Sequence, residues 1–219
     1  TKKISECQLI LEAGFYEPIL TAIGQKIPTS DARILDIGCG EGYYSENYKK
    51  PIQGYFYAFD LSKESVQLAA KSDVSWKVNW FVGDLAHLPI QSKSIEVILD
   101  IFSPANYAEL SVLKGLKGSS LRSFQASSHL KEIRQLAQEQ LTKQSYSNQE
   151  FWSTLKTTAN PLIETVSLTK SLTPEERQAL LAMTPLLFHV DQEKIDWTQL
   201  TEITIEAQIL VGKIKIQRT

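Results

Sequence analysis

The stretch 34–44, ILDIGCGEGYY, places an acid and a series of glycines where a short apolar run ends. The acid is Asp36, and the glycines stand at alternate positions: Gly38, Gly40 and Gly42. Glycine has no Cβ, so a loop built in this way lets backbone amides approach a ligand closely. The spacing therefore predicts a strand that ends in a ligand-binding turn.

The residues around these glycines argue against two common phosphate ligands. A phosphate-cradling P-loop needs a lysine followed by Ser or Thr after its last glycine, whereas Tyr43 and Tyr44 stand there. The dinucleotide fingerprint G-x-G-x-x-G/A fits at Gly38 and Gly40, but its third position falls on Tyr43. A pyrophosphate ligand is therefore disfavoured.

Two further acids end the next apolar runs. Asp60, in YAFDLS, follows the glycines by about 20 residues, where a carboxylate can accept hydrogen bonds from both hydroxyls of a ribose. Asp84, in FVGDLAHLP, can accept a hydrogen bond from the amino group of an adenine. Together these acids describe a nucleoside without phosphates. S-adenosylmethionine is such a ligand, and Asp36 with the loop amides would meet its amino-acid end.

Alternating strand and helix patterns supply the elements that position these residues. Apolar runs predict strands at 33–37, 55–59, 80–82 and 96–101, and periodic segments predict helices at 62–71 and 106–113. Strands that alternate with helices indicate parallel βαβ units. Ligands of such sheets gather at the carboxyl ends of the strands, near the point where the strand order reverses.

The outer parts of the chain show weaker patterns. Residues 7–27 are helical in spacing, with a break indicated by Gly14 and Pro18. Beyond Gly118 the patterns predict strands and helices, with Thr173 and Glu176 as the capping box of one helix. The strands are expected at 119–126, 161–172 and 202–216, and the helices at 129–141, 148–158 and 173–183. The last two strands should pair and place an antiparallel strand at the sheet edge.

Composition bears on several function classes. The net charge of −2 argues against broad nucleic-acid binding without excluding it. A basic group is interpreted as a solvated face rather than as an RNA footprint: Lys114, Lys117, Arg122, Lys131 and Arg134. The two cysteines, Cys7 and Cys39, are far apart in sequence and argue against a disulfide framework. They favour a reducing compartment, the cytoplasm. No apolar run approaches the length of a transmembrane span, and no start resembles a signal peptide.

The three acid motifs in this order resemble the class I S-adenosylmethionine-dependent methyltransferases. The longer stretches DIGCGEGYYS, AGFYEP, IFSPANYAEL, SSHLKEI and LLAMTP resemble, over essentially the whole chain, the bacterial 23S ribosomal RNA guanine-N1 methyltransferases. That family modifies a hairpin that lines the peptide exit tunnel and influences macrolide-type antibiotics. The resemblance implies a Rossmann-like α/β fold with a central seven-stranded, mostly parallel sheet and an antiparallel C-terminal edge strand. It divides the chain into a helical segment at 1–28 and a methyltransferase domain at 29–219.

The same resemblance assigns further cofactor-binding positions. Tyr16 would close over the cofactor, and His129 would reach it from the loop after the fifth strand. Without the resemblance, Tyr16 is equally well explained as an aromatic residue that packs in the core. His129 is better explained as a helix cap or a surface residue than as a cofactor contact. The remaining positions follow the glycines or the strand-end acids: Tyr44, Ser45, Leu61 and Leu85.

The acceptor is expected at the end of the fourth strand, in DIFSP. Phe102 would stack on a guanine extruded from its hairpin, and Pro104 would stiffen the turn. Asp100 is the nearest carboxylate that could take the N1 proton, and it is equally plausible as a structural acid.

The sequence departs from the family at its amino-terminal end. The family has a zinc module built on a cluster of cysteines and a histidine, whereas only Cys7 precedes Tyr16 here. We therefore expect no metal ligands in this chain and assign zinc only to that module. The expected partners are 23S ribosomal RNA or a precursor of the large subunit, without a membrane, and a homodimer is left open.

Two other functions remain open from the sequence. A small-molecule methyltransferase would share the cofactor half and differ by a deep apolar acceptor pocket. A noncatalytic RNA-binding protein on the same fold would have no physical need for the intact glycines and acids.

Overall fold

The computed structural model describes residues 2–27, 31–48, 54–74, 77–103, 114–141 and 162–212. Two compact units are found along the chain, each discontinuous in sequence. Unit 1 comprises Thr1–Ile19, Gln125–Thr154 and Thr165–Ala207. Unit 2 comprises Leu20–Phe124, Leu155–Glu164 and Gln208–Thr219.

The strands form a seven-stranded sheet in the order β3-β2-β1-β4-β5-β7-β6. Their bounds are β1 Ile34–Ile37, β2 Phe56–Asp60, β3 Val78–Val82, β4 Ile95–Ile101, β5 Lys114–Gln125, β6 Leu162–Ser171 and β7 Glu202–Gly212. The pairs β3–β2, β2–β1, β1–β4 and β4–β5 are parallel. The expected mixed sheet is confirmed, and β6 rather than the last strand lies at its edge.

Strand β1 lies where the strand order reverses. Its neighbours are β2 and β4, with Ile37 opposite Phe59 on one side and Asp100 on the other. All four β1 residues are buried, as expected of a parallel strand covered on both faces. The glycines that follow β1 therefore leave the sheet at its switch point, the position at which doubly wound sheets bind ligands.

Among the described residues, three helices flank the strands of unit 2. They are α2 Glu17–Lys26, whose first turn belongs to unit 1, α3 Tyr43–Asn47 and α4 Lys63–Ser72. Ser62 caps α4 because its side chain accepts a hydrogen bond from the Ser65 amide at 3.2 Å. One side of the sheet is covered by an apolar cluster that includes Leu35, Phe59 and Ile98.

The described residues of unit 1 form three further helices: α1 Lys2–Glu12, α5 Lys131–Leu136 and α6 Pro174–Met183. α1 packs on α6. β6 and β7 form an antiparallel pair, because the Leu172 amide donates to the Thr201 carbonyl while the Thr169 and Thr204 hydroxyls meet at 2.9 Å. Lys170 on β6 donates to the Ala13 carbonyl, and its ammonium lies 4.3 Å from the centre of the Phe15 ring.

The capping box predicted for the helix at 173–183 is confirmed. The Thr173 side chain accepts from the Glu176 amide at 3.2 Å, and the Glu176 carboxylate accepts from the Thr173 amide at 2.9 Å. We expect Thr173→Ala to lower the free energy of unfolding by about 1 kcal/mol, since a first-turn amide loses its acceptor. Urea unfolding would measure this, and Thr173→Ser, which keeps the hydroxyl, should stay close to wild type. An unchanged midpoint for Thr173→Ala would contradict the expectation.

Other predicted bounds were wrong in part. The helix expected at 129–141 is α5, which spans only Lys131–Leu136. The fifth strand begins at Lys114 rather than at 119, and its register against β4 shifts between the pairs Ile95–Lys114 and Val97–Ser119. Helices predicted at 106–113 and 148–158, and the end of the strand predicted at 202–216, lie outside the described residues. Within the described part of the chain, no helix is long and apolar enough to cross a bilayer.

Candidate cofactor site

The three glycines of the loop differ in what surrounds them. All have positive φ, +63° at Gly38, +56° at Gly40 and +85° at Gly42. A Cβ on Gly42 would lie 2.6 Å from the Trp80 ring, and a Cβ on Gly38 would lie 2.7 Å from Ser103 Cβ. A Cβ on Gly40 would meet no atom within 4 Å. At Gly38 and Gly42 the loop packs closely on neighbouring side chains and has no room for a Cβ, whereas Gly40 borders open space.

Asp60 holds the loop from the end of β2. One carboxylate oxygen accepts from the Gly40 amide at 2.9 Å and the other from the Ser62 amide at 2.8 Å. A carboxylate oxygen has two lone pairs, so each retains capacity for a further donor such as a ribose hydroxyl. Leu61, the next residue, is 74% exposed. Asp60 and Leu61 thus present an acceptor and an apolar side chain beside the glycines.

Asp84 lies in the turn after β3. Its side chain is 59% exposed, and one oxygen accepts from the Ala86 amide at 3.0 Å at the start of a short 3₁₀ helix. His87 Nδ1 is 3.8 Å from the other oxygen. Leu85 is half-buried against the apolar cluster under the sheet. Asp84 therefore offers a solvent-facing carboxylate, as recognition of an amino group requires.

Asp36 lies beneath the loop rather than on its surface. The residue is 2% exposed, and Ser45 Oγ on α3 donates to its carboxylate at 2.5 Å. Burial raises the pKa of Asp36 to about 7, opposed by the Ser45 hydrogen bond and assisted by the charges of Asp100 and Asp60. The hydroxyl of Tyr44 is buried nearby on the same helix. Asp36 and Ser45 therefore fix α3 to β1 below the glycines.

The buried Asp36 should make stability depend on pH. Its pKa is raised in the folded state, so the folded protein binds the proton more tightly, and stability falls as pH rises from about 4 towards 7. We expect Asp36→Asn to lack this dependence. The unfolding free energy of the variant minus that of the wild type should therefore increase by up to about 1.4 kcal/mol for each pH unit between about 4 and 7. Urea unfolding at several pH values would measure the difference. A constant difference between the two proteins would contradict it.

The end of β4 carries a second polar group. Asp100 is 3% exposed, Arg122 Nε on β5 lies 3.1 Å from one oxygen, and Ser103 Oγ donates to the other at 2.8 Å. Burial raises the pKa of Asp100 to about 6 against the opposing effects of Arg122 and Ser103. Arg122 is 14% exposed, so its interpretation as part of a solvated face was wrong. Phe102 is half-buried with φ +56°, and Pro104 lies outside the described residues.

Tyr16 and His129 belong to unit 1, whereas the glycine loop belongs to unit 2. Tyr16 follows α1, and burial together with the nearby Cys7 raises the pKa of its hydroxyl. His129 is 2% exposed, and its Nδ1 accepts from the Glu206 amide at 3.2 Å. Burial and the charge of Arg134 lower the pKa of His129 to about 4, so the imidazole is neutral at pH 7. His129 is therefore neither a surface side chain nor a simple helix cap.

The residues around Gly40 fit an adenosine-containing cofactor. The backbone leaves room at Gly40, Asp60 retains acceptor capacity, and Asp84 presents a carboxylate to solvent. Among the described side chains, no three His, Cys, Asp or Glu residues are grouped to hold a metal ion. Sequence reasoning gave no role to Ser103, which stands three residues after Asp100 in DIFSP. It also missed Arg122 at this site, since only the pairing of β4 with β5 brings Arg122 to Asp100.

Comparison with known proteins gives consistent similarities. Residues 34–117 match the family described as Methyltransferase domain. A Bacillus subtilis protein, "Putative 23S rRNA (guanine-N(1)-)-methyltransferase YxjB", is 31% identical over 94% of this chain and 77% of its own length. The Bacillus subtilis YcgJ protein superposes with a TM-score of 0.58 at 16% identity, over 93% of this chain and 100% of that structure. A SAM-dependent methyltransferase from Aquifex aeolicus superposes with a TM-score of 0.58 at 13% identity, over 97% of this chain and 98% of that structure.

Proposed function

Because the chain belongs to the methyltransferase family of its Bacillus subtilis relative YxjB, we propose that it transfers a methyl group from S-adenosylmethionine to N1 of a guanine in 23S ribosomal RNA. The proposed substrate is the hairpin that lines the peptide exit tunnel, where a methyl group would alter sensitivity to macrolide-type antibiotics. The relative's name supports the RNA and the atom, and the class I fold supports the cofactor.

The observation that supports the cofactor half of the proposal is the open space at Gly40, whose amide is held by Asp60. Asp60 would accept the ribose hydroxyls while it holds the Gly40 amide, and exposed Asp84 would accept from the adenine amino group. Exposed Leu61 would pack on the flat face of the adenine. Each contact uses a donor, acceptor or surface that the described structure leaves available to a ligand.

The protein's contribution to the reaction is mainly to hold its two substrates in line. When bound, S-adenosylmethionine supplies an electrophilic methyl group on a sulfonium. The switch-point loop after β1 would hold that ligand, and Phe102 after the adjacent strand β4 would stack on the flipped guanine. Holding both reactants at bonding distance removes much of the entropic barrier. Guanine N1 must also lose its proton, to a side chain or to water.

A methyl-transfer assay tests this proposal. Unmodified bacterial large-subunit RNA is incubated with methyl-labelled S-adenosylmethionine and the full-length protein. The RNA is then digested and its nucleosides are separated. The proposal predicts 1-methylguanosine as the labelled product. Label on a different nucleoside would overturn the assignment of N1. Cofactor binding without any labelled RNA would favour a small-molecule acceptor, and absence of cofactor binding would favour a noncatalytic protein.

A further inference from the structure

The turn that follows β4 is tied to the cofactor loop through one hydroxyl. Ser103 Oγ lies 2.8 Å from Asp100 Oδ1 and 3.2 Å from the carbonyl oxygen of Ile37, the last residue of β1. The glycine loop also packs on Ser103, because a Cβ at Gly38 would come within 2.7 Å of it. Ser103 therefore lies between the strand that presents the acceptor and the strand that presents the cofactor.

Phe102, directly before Ser103, has an unusual backbone. Its φ is +56°, in the left-handed region that residues with a bulky side chain rarely adopt. Such a conformation is strained and persists only where neighbouring contacts hold it. On one side the Phe102 amide donates to the Ser123 carbonyl of β5 at 3.0 Å. On the other side the chain is held through Ser103.

Arg122 supplies the charge that keeps Asp100 able to hold Ser103. Asp100 and Arg122 are paired in the parallel register of β4 and β5, so their side chains lie on the same face of the sheet. Both side chains are largely buried, with exposed fractions of 5% and 14%. A buried carboxylate without a nearby cation tends to take up a proton, and a protonated carboxyl is a weaker acceptor for a hydroxyl.

We propose that Arg122 is a positioning residue for methyl transfer, which acts through Asp100 and Ser103 to hold the turn that presents Phe102 to the acceptor. The inference rests on the proposed function in one respect, that the acceptor meets the protein at the end of β4. It assigns Asp100 a positioning role in place of a direct role as general base.

The charges around Asp100 determine how the variants should respond to pH. Arg122 faces it from β5, and the carboxylate of Asp36 acts on the same region from β1. Loss of Arg122 removes the cation that lowers the pKa of Asp100, so that pKa should rise further. The activity of Arg122→Met should therefore recover as pH is raised above neutrality, whereas the wild type should reach full activity at lower pH.

Four variants separate this role from general destabilisation. They are Arg122→Met, Arg122→Lys, Asp100→Asn and the double variant Asp100→Asn with Arg122→Met. Arg33→Met is the matched control, because it removes an exposed arginine–glutamate pair, Arg33 with Glu96, at the amino-terminal end of β4, the strand whose other end carries Asp100. For each protein one measures the cofactor Kd, kcat and KM for the RNA, and hydrogen exchange of the Phe102 amide.

For Arg122→Met we expect kcat to fall by about 10- to 100-fold while KM and the cofactor Kd stay within about twofold, because misplacement of a reactant lowers the chemical step. The Phe102 amide should exchange about tenfold faster, with the β1 amides unchanged. Arg122→Lys should recover part of kcat. The kcat of the double variant should be no lower than that of the slower single variant, since both substitutions act on the same turn after β4.

Three results would overturn the proposal: unchanged exchange at Phe102 in Arg122→Met, strictly additive losses in the double variant, or a rise in KM with kcat unchanged. The last would show instead that Arg122 binds RNA directly. Asp100→Asn with Arg122→Met carries no unpaired buried charge and guards against a failure to fold. If the wild type labels no RNA, the proposed function fails separately, and exchange at Phe102 alone decides whether Arg122 holds the turn.

Discussion

Replacement of Gly40 by alanine should leave a folded protein that no longer binds S-adenosylmethionine. The new Cβ would meet no protein atom within 4 Å, so the cost to folding is limited to the left-handed backbone at φ +56°, about 1 to 2 kcal/mol. The same Cβ would project into the space assigned to the cofactor. We expect the dissociation constant to rise by about two orders of magnitude, or about 3 kcal/mol. Calorimetric titration with the cofactor, beside urea unfolding, measures both quantities.

Gly42→Ala is the matched control for this loop. Its Cβ would lie 2.6 Å from the Trp80 ring and 2.9 Å from Ala69 Cβ, at φ +85°. This variant should lose several kcal/mol of stability, on the order of 3 to 5, because packed groups must move apart. Equal loss of stability in both variants, or normal cofactor affinity in Gly40→Ala, would contradict the assignment of open space at Gly40 to the ligand.

Asp60→Ala should abolish cofactor binding for two reasons that act together. The variant loses the acceptor that holds the Gly40 and Ser62 amides, at 2.9 and 2.8 Å, and it loses the acceptors proposed for the ribose. Hydrogen bonds to a charged acceptor contribute about 1.5 to 3 kcal/mol each, so we expect affinity to fall at least about 100-fold. Fluorescence or calorimetric titration with S-adenosylmethionine measures the loss.

Two further variants test the cause of that loss. Asp60→Asn keeps one oxygen acceptor and should bind more weakly than wild type but more tightly than Asp60→Ala. Glu64→Gln removes an exposed acid at the start of α4 and should leave affinity unchanged. A comparable loss in Glu64→Gln would indicate a general charge effect, and unchanged affinity in Asp60→Ala would remove Asp60 from the site.

The sequence predicted the glycine turn and the strand-end acids that surround it because these features are local. A glycine turn after an apolar run and an acid at the end of the next run depend on residues close in sequence. The structure places Gly40 and Asp60 in direct contact, as that spacing indicates. The capping box at Thr173 and Glu176 was likewise predictable from four consecutive residues.

The arrangement at the end of β4 depends on long-range pairing and was not predictable in the same way. Arg122 meets Asp100 only because β5 pairs with β4 after a shift in register near Lys114, which no local pattern specifies. The helix predicted at 129–141 begins only at Lys131, because Leu130 adopts φ +56° and donates its amide to the Thr204 carbonyl of β7. The burial of His129 follows from the same contacts with β7.

Reverse transcription of 23S ribosomal RNA from cells with and without this protein tests the central claim most directly. A methyl group on guanine N1 blocks Watson–Crick pairing and therefore stops the transcriptase. The account predicts one strong stop at a guanine of the exit-tunnel hairpin, lost on deletion of the gene, restored by the wild type and not restored by Gly40→Ala. Identical transcripts from the two strains would contradict the proposed methylation of guanine N1 in this RNA.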